Sequence, residues 1–272
     1  MREANDENGV VNLISRILTR SGELTFDAEL DAAGCGSVDH RYRWLEEWIG
    51  KDMSGARVVD VGCWTGDLLA WARSAGAVGT VGVDLDGPWL DVARGRPEVD
   101  EVEAGSLLEG IPSRLHGAFD VVFFLETLEH LPRGTESAAL TVLSSLLAPG
   151  GYLYASTPLA GIAALADPAW YLVGHRHYRT ATLVGLAENA GLVVEETRFS
   201  GNLRTSVETC CFYLNKHLRW RKRTGKQVAR VSTGDQGLQR VRGLTSTNVW
   251  IRAAGPGARK NDSSAESEQG GI

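Results

Sequence analysis

The 272-residue chain is poor in cysteine: Cys35, Cys63, Cys210 and Cys211 are its only thiols. None of them stands in a C-x-x-C spacing, so the paired-ligand pattern of a zinc site and the thiol redox motif are both absent. The adjacent pair Cys210-Cys211 reads as buried apolar filler rather than a disulfide, as expected for a reduced, cytoplasmic chain. No apolar run reaches the ~18–20 residues that a membrane helix needs. The opening residues Met1-Arg2-Glu3-Ala4-Asn5-Asp6-Glu7 are polar and acidic, and no signal-peptide core follows them. Positive charge is also in deficit. The formal net charge of −6 argues against non-specific nucleic-acid binding, so no nucleic-acid partner is expected.

What the chain does contain is core material, with 43% hydrophobic and 23% charged residues. Short apolar runs alternate with helical patterns from residue 56 onward. Val58-Val59-Asp60-Val61, residues 79–84, a weaker run at 99–104, residues 119–125 and Tyr152-Leu153-Tyr154-Ala155-Ser156 read as five strands. Helices are expected at 66–75, after Pro88, at 134–147 and at 180–191, with further strands at 192–199 and 246–253. Pro149-Gly150-Gly151 reads as a turn. Strands this uniformly apolar belong to an α/β fold with a parallel sheet covered on both faces. Around that core, residues 1–53 are expected to form an N-terminal helical cap over the pocket, with helices at 9–20 and 39–50. The core proper spans 54–200. Residues 201–245 are expected to be a basic helical insertion, 246–254 the last core strand and 255–272 a disordered tail.

In doubly wound sheets ligands sit at the carboxyl ends of the strands, beside the point where strand order reverses. The first such end is Asp60-Val61-Gly62-Cys63-Trp64-Thr65-Gly66. Gly62 and Gly66 let the backbone approach a ligand closely, and the following helix offers free N–H groups. The loop lacks the G-x-G-x-x-G spacing of dinucleotide binders. Asp60, expected at the end of the first strand, would repel a phosphate but suits the amino group of an amino-acid moiety. Asp84, ending the second strand, is placed to accept both hydroxyls of a ribose.

The run Val58–Gly66 resembles the first motif of class I S-adenosylmethionine-dependent methyltransferases, and Val81-Gly82-Val83-Asp84 resembles their second. Phe119–Leu131, which includes Leu125-Glu126-Thr127-Leu128-Glu129-His130, is similar to the fourth-strand motif, especially in the branch containing the ubiquinone-biosynthesis O-methyltransferases. Leu147-Ala148-Pro149-Gly150-Gly151 resembles the turn before their fifth strand. The four motifs fall in the family's order. The resemblance implies a Rossmann-like three-layer sandwich with a mostly parallel seven-stranded sheet and an antiparallel last strand, and S-adenosyl-L-methionine as cofactor. It places Gly62 and the backbone of Cys63 at the methionine part, Asp84 at the ribose and Leu85 against the adenine, and adds Leu125 to the cofactor-binding set. There are two departures. Trp64 stands where the family usually has a third glycine. Gly105-Ser106 stands where an acidic residue usually meets the adenine amino group, a role that would pass to Ser106.

Methyl transfer needs nucleophile, carbon and sulfur in line, and often a proton acceptor. Candidate catalytic residues are Glu126, His130 and His177. If residues 127–131 form a helical turn, Glu126, Glu129 and His130 share one face, although the pair Glu129-His130 reads equally as local capping. Glu129, His175 and Tyr178 are the candidate substrate contacts. The cluster Gly174–Arg179 admits a second reading, a loop anchored by Tyr178 and Arg179. The H-x-H spacing alone does not make a metal site, and no metal is expected. The basic run from Lys216 to Lys226, interleaved with Leu218 and Trp220, suits peripheral contact with an anionic membrane or a lipid-linked substrate, and suits a solvated helix face as well. No D-P-P-Y-like tetrad follows the fourth strand, which disfavours amino methylation of a nucleic-acid base. The expected reaction is methylation of an oxygen on a small-molecule acceptor, such as a sugar, glycolipid or natural-product intermediate. The rivals are a macromolecular methyltransferase and a non-catalytic cofactor-binding module.

Overall fold

The computed structural model describes residues 40–49, 52–167, 174–202 and 238–256. The expected helix at 9–20, Cys35, Cys210 and Cys211, the basic run and the tail beyond residue 256 lie outside them. Among the described residues no helix is long and apolar enough to cross a membrane.

Seven strands form one sheet: β1 (Arg57–Val61), β2 (Gly79–Asp84), β3 (Glu101–Ala104), β4 (Phe119–Leu125), β5 (Leu147–Pro158), β6 (Val193–Ser200) and β7 (Asn248–Ala254). Their order is β3-β2-β1-β4-β5-β7-β6. β1 through β5 pair in parallel, and β7 runs antiparallel to both β5 and β6. The Rossmann-like sandwich with an antiparallel last strand is therefore present as expected. The helices are α1 (His40–Ile49), α2 (Asp67–Ser74), α3 (Pro88–Arg94), α4 (Glu136–Leu146) and α5 (Thr180–Asn189).

The apolar runs become strands because successive side chains enter two different cores. Val59, Val122 and Phe124 face Leu140 and Leu143 of α4 and Leu183 of α5. Their neighbours Val58, Val121 and Phe123 face the opposite layer, with Leu69 and Trp71 of α2 and Leu90 of α3. α1 packs on the same side as α2 and α3. Its Trp48 ring meets Tyr154 edge-on, and the indole N–H donates to Glu196 Oε2 at 2.6 Å. This described part of the N-terminal segment thus covers β5 and β6.

One expected turn is different. Pro149-Gly150-Gly151 lies inside β5, where the register against β4 slips between Phe119 and Val121, so the motif makes a bulge. Gly151 fits there because a Cβ would lie 2.8 Å from the Phe119 carbonyl.

Strand order reverses at β1, which has β2 on one side and β4 on the other. The tips of β1 and β4 meet at Gly62, whose φ of 87° lies in the left-handed region. A Cβ on Gly62 would come within 2.2 Å of Thr127 Oγ1 and 2.9 Å of its methyl group. Both backbone and space therefore demand glycine. Gly62→Ala is expected to lower unfolding stability by about 2–4 kcal/mol. Adding Thr127→Ala should recover part of that loss in chemical denaturation, and strictly additive losses would mean that the two tips are not in contact.

Candidate active site at the strand tips

Asp84 ties the first two strand ends together. Its Oδ2 accepts the backbone N–H of Trp64 at 2.8 Å and its Oδ1 accepts that of Leu85 at 2.7 Å. Behind it, the amides of Gly62 and Cys63 both donate to the Val83 carbonyl, and Gly105 N–H donates to the Asp84 carbonyl. The tips of β1, β2 and β3 are thus joined around one carboxylate, and each of its oxygens retains capacity for a further donor. Trp64 fills the place of the family's third glycine by adopting a glycine-like conformation, with φ 46°. Such a conformation costs a non-glycine residue on the order of 1–3 kcal/mol, and the Asp84 bond helps to hold it. Gly66, at φ 76°, closes the turn before α2. Arg96 braces the loop from behind by donating to the Thr65 carbonyl at 2.6 Å and pairing with Asp67.

The other expected cofactor residues cluster here. Leu85 stands 59% exposed beside the Asp84 carboxylate, an apolar platform at the strand tip. Ser106 follows β3, but its hydroxyl already accepts the Leu108 amide at 3.2 Å. A cavity of about 380 Å³ opens next to it, lined by Val83, Glu103, Gly105 and Ile111 among others. Leu125 is half-buried at the end of β4. Cys63 is buried, and burial together with Asp60 and Asp84 pushes its thiol far up, so it contributes backbone and packing rather than a thiolate. Asp60 lies within β1 rather than at its end, and is buried. Burial first, and then the Asp84 charge, push its pKa up to about 8. No cation among the described residues offsets this. An arriving ammonium group would do so, and in that respect the site fits an amino-acid moiety.

The β4 tip separates residues that were expected together. Glu126 is the second non-glycine residue at positive φ, 51°. Its carboxylate is held by Ser156 Oγ at 2.6 Å and Asn248 Nδ2 at 2.8 Å, which links β4 to β5 and β7. Leu128–His130 forms a single 3-10 turn, and this directs Glu129 and His130 apart. Glu129, expected to meet substrate, is 4% exposed and accepts the Thr157 hydroxyl at 3.2 Å. Burial and the neighbouring Glu126 raise its pKa well above the carboxylate range. His130 keeps much of its surface open. The enclosed part of its ring and the Arg176 charge hold its pKa below the usual histidine value, while Asp84 acts in the opposite sense.

The segment after β5 brings one histidine to this point and turns another away. The His175 ring stands edge-on to His130, with centroids 4.4 Å apart. Burial, then the His130 charge, push its pKa down to about 4. His177, a candidate catalytic residue, instead pairs through Nε2 with Asp167 Oδ2 at 3.0 Å, its side chain almost fully enclosed. Tyr178, a candidate substrate contact, is buried, and its hydroxyl donates to Glu136 Oε1 at 3.3 Å. It anchors the segment as the alternative reading had it, but with Arg176 as its fellow anchor, since Arg179 is exposed at the start of α5. Ser156, Thr157 and Asn248 escaped the sequence reading. Two adjacent hydroxyls ending an otherwise apolar strand were the available signal.

A mostly parallel sheet with an antiparallel last strand, a left-handed turn after β1 and a carboxylate at the β2 tip together define the S-adenosylmethionine-dependent methyltransferase class. Residues 39–197 match the family model described as a methyltransferase domain, and the chain belongs to that family. Among curated proteins it is 32% identical over 164 residues to the ubiquinone biosynthesis O-methyltransferase of Xanthomonas euvesicatoria pv. vesicatoria (strain 85-10), covering 53% of this chain and 66% of that protein. The namesake of Ralstonia nicotianae (strain ATCC BAA-1114 / GMI1000) is 35% identical over 120 residues, covering 41% and 48%. The match thus spans between about half and two thirds of these relatives. A SAM-dependent methyltransferase of Archaeoglobus fulgidus superposes with TM-score 0.58 at 17% identity, covering 84% of this chain and 99% of that one. A [4+2]-cyclase superposes with TM-score 0.54 at 15% identity, covering 79% and 85%. Likeness of this degree shows the fold, and the cyclase shows that the fold alone does not fix the reaction.

The raised pKa of Asp60 sets a test. Its neutral form dominates in the folded chain up to about pH 8, whereas the unfolded chain ionises near the ordinary aspartate value, so its contribution to stability is lost as pH rises between the two. The melting temperature of Asp60→Asn minus that of the parent should climb from about pH 4 to pH 8 and stay level outside that window. A constant difference would mean that Asp60 ionises normally.

Proposed function

We propose that the chain transfers the methyl group of S-adenosylmethionine to an oxygen of a small-molecule acceptor, with His130 as the proton acceptor. The observation that carries this reading is the placing of His130, which is exposed on the turn after β4 with the His175 ring edge-on to it, 4.4 Å between centroids. The cofactor supplies an electrophilic methyl group on a sulfonium centre. The chain's own residues hold and orient. Asp84 takes the ribose hydroxyls, Leu85 backs the adenine, and the turn through Gly62 and Cys63, its own amides held by the Val83 carbonyl, passes the methionine part. A neutral imidazole can take the proton released by an acceptor hydroxyl, and Asp84 then favours the imidazolium that results. Oxygen as the acceptor atom is supported by the names of the curated relatives.

The choice of acceptor, whether a sugar, a glycolipid or a natural-product intermediate, turns in this reading on the basic insertion, whose residues 203–237 lie outside the described ones. The basic run there would give a cytoplasmic enzyme a peripheral hold on an anionic membrane or a lipid-linked acceptor. One observation favours a second reading, binding without methyl transfer: the cyclase shares this fold.

Calorimetry with S-adenosylhomocysteine and transfer of labelled methyl groups to a panel of hydroxylic acceptors test the proposal. Asp84→Ala should weaken S-adenosylhomocysteine binding at least ~10-fold, about 1.4 kcal/mol. His130→Gln should leave that affinity within about twofold and lower transfer by ~10²-fold or more. Full turnover in His130→Gln would remove histidine base catalysis, and retained binding with no transfer to any acceptor would favour the second reading.

A further inference from the structure

We propose that Arg176 is a positioning residue for the reaction: it clamps the segment after β5 onto the turn after β4 and so sets the His130–His175 pair at the mouth of the cleft. The inference rests on the reading of His130 as proton acceptor.

Arg176 is only 13% exposed in its side chain, and its guanidinium is spent on one small region. Nη2 donates to the carbonyls of Leu128, at 2.9 Å, and Leu131, Nε donates to that of Glu129 at 3.3 Å, and Nη1 pairs with Glu136. Two of these acceptors, Leu128 and Glu129, are carbonyls of the 3-10 turn that carries His130, and the third, Leu131, follows it directly. The Leu128 carbonyl also accepts the Leu131 amide at 3.3 Å, so Arg176 adds to the turn's own closure. A planar fork with five N–H donors can meet three carbonyls and a carboxylate at once, and an ammonium group cannot reproduce that arrangement.

The other end of the clamp is equally fixed. Tyr178 N–H donates to the Pro158 carbonyl, and its own carbonyl accepts the Ala160 amide, so the segment returns to the end of β5. The Arg176 guanidinium lies over the Tyr178 ring, 5.4 Å from its centroid, and both side chains converge on Glu136 in the first turn of α4. His177 adds the pair with Asp167. Between these ties, His175 has little choice but to meet His130.

Arg176 also acts through charge. His130 meets the His175 ring, and the charges that act on it are Arg176 from the segment after β5 and Asp84 from the β2 tip. Of these, Arg176 is the fixed positive charge, and a fixed cation favours the neutral imidazole that a base must present.

The test uses the full chain, with and without S-adenosylhomocysteine. The His130 imidazole is titrated by NMR, its signal identified through His130→Gln, and proximity of the two rings is read from the cross-relaxation between His130 and His175. Arg176→Gln should raise the His130 pKa by on the order of half a pH unit and abolish the ring–ring signal. Arg176→Lys keeps the charge but not the fork, so it should leave the pKa within about 0.2 unit and still weaken the ring–ring signal at least about twofold. S-adenosylhomocysteine affinity should stay within about twofold in both variants. An unchanged pKa in Arg176→Gln overturns the proposal, as does a ring–ring signal of full strength in Arg176→Lys. The lysine variant decides alone if the glutamine variant does not fold. These readouts need no acceptor, so failure to find methyl transfer leaves them intact.

Discussion

The carboxylate of Asp84 is the constraint on which the site depends. Parallel pairing places Val61 opposite Val83, so the chain leaving β1 passes directly over the residue that ends β2. There a single side chain accepts two backbone amides, one from its own turn and one from Trp64 across the gap. Without that acceptor, the left-handed Trp64 would lose its tie to the β2 tip, while the amides of Gly62 and Cys63 would stay on the Val83 carbonyl. The same carboxylate raises the pKa of Asp60 beneath it and favours the charged form of His130 above it. One ionised group thus orients the loop, biases two neighbours and remains able to accept donors from a ribose.

Acidic groups dominate the cleft around it. Asp60 on β1 interacts with Asp84 at the β2 tip, and Glu129 with Glu126 at the β4 tip; burial first, and then these like charges, leave Asp60 and Glu129 reluctant to ionise. A cleft of this kind favours a ligand carrying positive charge over one carrying phosphate, which is the electrostatic counterpart of the missing dinucleotide glycine pattern. The pKa values of both His130 and His175 are lowered, the first by partial burial and Arg176 and the second by burial and His130, which disfavours their charged forms.

Much of this was readable in the residues before any coordinates. The strand runs β1 and β4 are legible because each side chain goes into one of two cores, leaving no polar interruption except at functional or edge positions. The loop after β1 was legible as a tight turn because Gly62 and Gly66 both occupy positive φ, where other residues are strained. The β4 tip was not, since an α-turn and a 3-10 turn differ by a small change in backbone, yet that change sends Glu129 inward and His130 outward. Arg176 was unreadable for a different reason. Its partners are carbonyls some 45 residues away, and a backbone acceptor leaves no mark in the sequence. His177 as a candidate catalytic residue and Tyr178 as a candidate substrate contact were read from residue type alone, which does not reveal burial: Tyr178 is 8% exposed and the His177 side chain 5%.

The account stands or falls on where the adenosyl group goes. A crystal structure of the full chain with S-adenosylhomocysteine measures this directly. The ribose hydroxyls should lie within hydrogen-bond distance of the Asp84 carboxylate, with the Trp64 amide still on Oδ2 and Leu85 against the base. Density for the nucleoside away from the β1 and β2 tips, with Asp84 left facing solvent, would contradict it.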